Sequence, residues 1–221
     1  MFNAHTAAYN RELQRMAIEE TRMGIPLLFG YDVIHGYRTI FPISLGEAAS
    51  WNLEAIEKSA RIAAEEASAA GLHWTFAPMV DIARDPRWGR IMEGAGEDTY
   101  LGTRVAEARV RGFQGDDLSL PNTILACAKH YAAYGAAQAG RDYHTVDISE
   151  RTLREVYLPP FQRIAEIGAA TFMNSFNELD GIPATGNKHL LDDILRKEWG
   201  FEGFVVTDYT SINEMVLHGC G

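Results

Sequence analysis

Five short apolar runs, each followed by a segment of helical periodicity, limit what this chain can fold into more than any other feature. They are "PLLFGYD" (26–32), "LHWTFAPMV" (72–80), "TILACAKHY" (123–131), "AATFMNSF" (169–176) and "GFVVTD" (203–208). The first and last are nearly unbroken rather than alternating, the pattern of parallel strands covered on both faces. Between them, segment 52–71 keeps Leu53, Ile56, Ala60, Ala63, Ala67 and Ala70 on one face, with Asn52 as N-cap and Gly71 as stop. A second helix opens with a capping box of Asp147 and Glu150 and ends before Pro159-Pro160; a third ends on Gly200. Strands alternating with helices imply βαβ units around a parallel sheet.

A doubly wound sheet that binds a nucleotide needs a glycine-rich turn after its first strand. None is present: "EGAGED" (93–98) follows no strand, and its Glu97 and Asp98 repel phosphate. A (β/α)8 barrel remains. Five strands plus a remnant at "MFNA" fall short of eight, and 221 residues fall short of the roughly 250 of a full barrel. The expectation is an α/β chain forming an incomplete TIM-like barrel, with about five to six of the eight βα units. It is read as one domain over 1–221, truncated at both ends.

The net charge of −10 argues against nucleic acid, which binds through Lys and Arg on phosphates. No run approaches the ~18 apolar residues of a membrane span, and the N-terminus lacks the basic start, apolar core and cleavage site of a signal peptide. Cys127 and Cys220 have neither metal-ligand nor disulfide-framework spacing, and Cys127 reads as a small core residue. The histidines form no HxH or HExxH pair, so no metal is expected.

Barrel active sites lie at the C-terminal strand ends. Those ends here offer Asp32, Pro78 with Asp81, Lys129-His130, Asn174 to Asn177, and Asp208. Asp208 reads as functional rather than as a helix cap, because Ser211 and Glu214 supply a capping box of their own. Lys129, at the end of a buried strand, needs an acidic neighbour, which Asp32 and Asp208 can provide. The polar loop "DPRWGRIMEGAGED" (85–98) adds Arg87, Trp88, Arg90 and Glu93. Carboxylates, cations and aromatics around one cleft suit a polyhydroxylated ligand.

The motifs "GIPLLFGYDVIHGYRTIFP", "FAPMVDIARDPRWGRIMEGAGED", "KHYAAYG" and "GFEGFVVTDY", in that order, resemble glycoside hydrolase family 3, in its β-glucosidase branch. The resemblance implies a retaining exo-acting glycosidase with Asp208 as nucleophile and no cofactor. It implies that Asp32, Arg38, Arg90, Lys129 and His130 bind sugar hydroxyls. Met173 takes a methionine position beside the nucleophile, and Phe176 stands where some relatives have a tyrosine, so that hydroxyl is missing. The acid/base of that branch is a Glu on a following domain, expected outside this chain. The expected partners are a β-glucoside or oligosaccharide and the C-terminal domain of the same parent protein, in the periplasm or secreted. Two alternatives stand beside this: an inactive sugar-binding fragment, and an N-acetylhexosaminidase using Asp142 and His144, although "KHYAAYGAAQAGRDYH" departs from that branch's motif.

Overall fold

The computed structural model describes residues 6–217, so the expected remnant at "MFNA" lies outside the described residues. Strands form within all five apolar runs: β1 (Gly30–Tyr31), β2 (Trp74–Thr75), β3 (Cys127–Tyr131), β4 (Thr171–Asn174) and, after a small hairpin, β7 (Phe204–Val206). β1 pairs with β2, β3 with β4, and β4 with β7, all parallel. Bridges Trp74↔Leu125 and Met79↔Lys129 join the second run to the third. The result is an open arc in the order β1-β2-β3-β4-β7, an incomplete (β/α)8-type barrel that does not close.

Helices α1 (Ala7–Glu19), α2 (Ser44–Ala48), α3 (Leu53–Ala69) and α4 (Thr99–Gln114) precede β3. As expected, Asn52 caps α3 by accepting from the Ala55 N–H at 3.0 Å. Gly71 ends that turn at φ +82°, and Gly200 ends the third helical segment at φ +66°. The apolar stripe of α3 packs on α4, and Gly112 permits the contact, since a Cβ there would lie 2.4 Å from the Glu57 carbonyl. Arg109 of α4 forms a buried ion pair with Glu47 of α2 and donates to the Ile34 carbonyl at 3.2 Å, pinning the chain that leaves β1.

Two caps differ from expectation. The helical stretch α5 (Glu150–Thr152), a π-helical turn (Leu153–Tyr157) and α6 (Pro159–Glu166) is capped by Ser149, which accepts from Thr152 N–H, rather than by Asp147. Ahead of α7 (Ser211–Leu217), it is Thr210 whose hydroxyl meets Glu214, at 2.7 Å, not Ser211. The hairpin β5 (Glu178–Leu179) and β6 (Ile182–Pro183) follows β4. Every residue of β3 and β4 is buried, and their outer faces join Phe113, Phe161, Ile164, Ile194 and Leu195 in the main core.

Candidate active site

A cavity of about 740 Å³ opens at the C-terminal ends of the arc. Each strand contributes: Gly30, Tyr31 and Asp32 from β1 and its exit, Trp74 and Phe76 from β2 and beyond, Lys129 and His130 from β3, Met173 from β4, and Val206 to Asp208 from β7 and its exit. Arg90 reaches in from the polar loop, and Tyr209 and Thr210 close one side. Strict alternation would send adjacent Lys129 and His130 to opposite faces. The ladder to β4 shifts register after Lys129, and both side chains line the cavity.

Lys129 is almost completely buried, and its Nζ sits 3.0 Å from Oδ2 of the half-exposed Asp32. His130 is buried, with Nδ1 2.9 Å from Asp81 Oδ2 and Nε2 3.5 Å from Asp208 Oδ2. Burial, helped by the positive charges of Arg90 and Lys129, pushes the His130 imidazole well below its ordinary value. Burial likewise raises the Asp81 carboxyl to about 7. Arg90 grips Glu93 through two bonds of 2.6 and 2.8 Å. Burial alone would raise Glu93, but the hydrogen bond and charge of Arg90 outweigh it and hold the carboxyl below its usual range. Asp208 does not cap α7: its Oδ1 accepts from the Tyr209 N–H at 2.6 Å, and only its backbone carbonyl bonds Ser211. Its Oδ2 is left toward the cavity and His130.

Asp208, Asp32, Arg90, Lys129, His130 and Met173 are thus brought together. Arg38 and Phe176 are not. Arg38 is exposed, outside the cavity wall, and its backbone N–H bonds Glu66. Phe176 packs against Tyr134 and Tyr143 and lines a second cleft of about 290 Å³. Asn177 is buried away from the cavity, its amide donating to the Ala132 and Glu178 carbonyls. Asp142 accepts from the Trp88 indole N–H at 3.0 Å, while His144 is exposed; neither lines the cavity. Buried Cys127 packs in the strand, its thiol pushed up to about 12 by burial.

Sequence reasoning passed over Trp74, Phe76 and Tyr209. Trp74 and Phe76 stand two residues apart, the spacing of one strand face, and that was the available signal. They meet edge to face at 4.8 Å, and Trp74 is fixed by its indole N–H donating to Thr171 at 2.9 Å. Among the described residues no helix is long and apolar enough to cross a membrane.

The arrangement offers carboxyl groups, hydrogen-bonding groups of both kinds and an aromatic wall around one sugar-sized space. The family model described as Glycosyl hydrolase family 3 N terminal domain matches residues 2–221. A periplasmic beta-glucosidase of Salmonella typhimurium is 46% identical over 219 residues, covering 99% of this chain and 29% of that protein. A putative beta-xylosidase of Formosa agariphila is 38% identical over 213 residues, covering 93% and 28%. The crystal structure of a beta-glucosidase from Listeria innocua in complex with glucose superposes with a TM-score of 0.94 at 44% identity, covering 99% of this chain and 31% of that one. The chain therefore spans roughly a third of the length of the relatives it matches.

Proposed function

The chain belongs to glycosyl hydrolase family 3, and on that premise we propose that its cavity is the sugar-binding half of a retaining exo-β-glucosidase whose nucleophile is Asp208. The observation that carries this reading is the single carboxylate Oδ2 of Asp208, turned to a cavity that Asp32, Arg90, Lys129 and His130 surround.

Asp208 Oδ2 attacks the anomeric carbon as the bond to the leaving oxygen breaks, and a covalent glycosyl ester forms. A second carboxyl about 5–5.5 Å away protonates the leaving oxygen and then takes a proton from water, whose attack releases the sugar with retained configuration. Among the described residues the cavity wall carries two carboxylates, Asp208 as the nucleophile and Asp32 held by Lys129. We propose that the acid/base comes from a further part of the protein, in keeping with the 29% of the Salmonella relative's length that this chain covers. Asp32, Lys129, His130 and Arg90 hold the sugar hydroxyls, and Trp74 and Phe76 cover an apolar sugar face. Met173 shapes the floor beside the nucleophile. Glucose is favoured over xylose on the identity to the Salmonella protein, and its compartment, the periplasm, is proposed for this protein too.

In the full-length protein, aryl β-glucosides should be hydrolysed with retention, read by NMR of the first-formed sugar. Asp208→Asn should lower turnover by about 10³-fold or more with folding intact. A 2-fluoroglucoside should leave its label on the peptide containing Asp208. Inversion of configuration, or normal turnover in Asp208→Asn, would overturn the assignment.

A further inference from the structure

Asp81 does not touch the cavity; it lies behind His130 with its side chain wholly buried. Its Oδ2 is 2.9 Å from two nitrogens of His130, the backbone N and ring Nδ1, and its buried Oδ1 has no partner. A backbone N–H can only donate, so Oδ2 accepts there in every protonation state. The open matter is whether the pair holds one proton, on Nδ1 facing an ionised Asp81, or two, the second taken up from solvent.

With one proton, on Nδ1, Nε2 presents a bare lone pair to the Asp208 carboxylate 3.5 Å away, acceptor facing acceptor in a buried setting. An ionised Asp81 would also leave Oδ1 charged and unpartnered, a costly state. With two protons, on Oδ2 and Nε2, both faults vanish. Nε2 becomes an N–H aimed at Asp208 and at any hydroxyl in the cavity, and Oδ1 belongs to a neutral carboxyl. The other two-proton state, an imidazolium against an ionised Asp81, keeps Oδ1 charged and unpartnered and adds a buried cation beside Arg90 and Lys129. The charged groups facing the pair do not reverse this: Arg90 is committed to Glu93, and Lys129 to Asp32.

Resting on the glycosidase reading, we propose that Asp81 is a positioning residue: its neutral carboxyl donates to His130 Nδ1 and thereby keeps Nε2 protonated as a donor toward Asp208 and the sugar. No proton leaves the pair; it remains in the Oδ2–Nδ1 bond. The raised Asp81 and depressed His130 values, both caused by burial, agree with a neutral pair.

The geometry singles out an isosteric test. In Asp81→Asn the backbone N–H of His130 still requires an oxygen opposite it. That amide oxygen cannot donate, so Nδ1 must become the donor and Nε2 loses its hydrogen. A side chain that only filled space would tolerate this change.

Neutron diffraction of the full-length protein should place hydrogen on His130 Nε2 in the wild type and on Nδ1 in Asp81→Asn. In aryl β-glucoside assays the same variant should lose about 10- to 100-fold in kcat/KM while its circular dichroism is unchanged. Hydrogen on His130 Nδ1 in the wild type, with or without one on Nε2, or wild-type kcat/KM in a folded Asp81→Asn, would overturn the proposal. The hydrogen position is read without turnover, so failure of the glycosidase reading and failure of this one are distinguishable.

Discussion

Replacing Asp32 should destabilise the protein more than replacing Lys129, although Asp32 is the exposed member of the pair. The Asp32 side chain is 51% exposed and that of Lys129 4%, with 3.0 Å between Oδ2 and Nζ. Lys129→Met removes a buried ammonium, keeps an unbranched chain of similar volume, and leaves Asp32 where water in the cavity can solvate it. Replacing buried charge by apolar groups is often neutral or stabilising, so a change within about 1 kcal/mol of wild type, or a gain, is expected. Asp32→Ala instead strands the ammonium. Breaking a fully buried pair costs about 3–5 kcal/mol. Solvent around Asp32 already screens part of that attraction, leaving about 1–3 kcal/mol. For a chain of this size that lowers Tm by about 2–12 °C. Thermal and urea unfolding of both single variants and the double variant would measure it, with Lys129→Met restoring stability to Asp32→Ala. A larger loss in Lys129→Met would show that attraction, rather than desolvation of the ammonium, dominates the pair.

Two further outcomes concern other buried charges. Arg109→Leu should cost about 3–5 kcal/mol by leaving Glu47 unpaired, and Glu47→Leu/Arg109→Leu should recover much of it, read as urea midpoints. Asp81 is neutral in both folded and unfolded states below its ordinary value of 3.8, but above about 7 it is ionised in both and penalised only in the fold. The stability of wild type relative to Asp81→Asn should therefore fall as pH rises between about 4 and about 7, and a flat difference in Tm across that range would contradict it.

The five strands were legible because apolar runs such as "TILACA" mark burial on both faces, yet burial is wider than pairing. The first and last runs border the open arc and are not covered on both faces: Leu27, Leu28 and Phe204 are exposed, and the run 26–32 yields a strand of only Gly30–Tyr31. The β5–β6 hairpin was missed although its turn, Asp180-Gly181, is a strong hairpin dipeptide and both residues have positive φ. Two paired residues on each side leave no alternation to detect. Capping side chains compete locally, so Ser149 displaced Asp147, and Thr210 took the place expected of Ser211. In the site, Asp208 and Lys129 could be reasoned from strand ends and the cost of burying charge. The joint inward aim of Lys129 and His130 could not, because it depends on an irregular ladder that spacing does not encode. The Asp81–His130 contact crosses 49 positions and exists only once the second and third runs lie side by side.

The arc also bears on how the polypeptide acquires its shape. Among its five strands each new one adds to the edge left by the previous one, so spatial order repeats order of synthesis. A nascent chain can then dock each βα unit as it emerges, without waiting for a distant segment. Each docking closes a loop of some tens of residues, and the entropy of closure grows only slowly with that length. Asp208, the proposed nucleophile, arrives just past the last of these strands, after Asp32, Arg90, Lys129 and His130 of the cavity wall have been set in place.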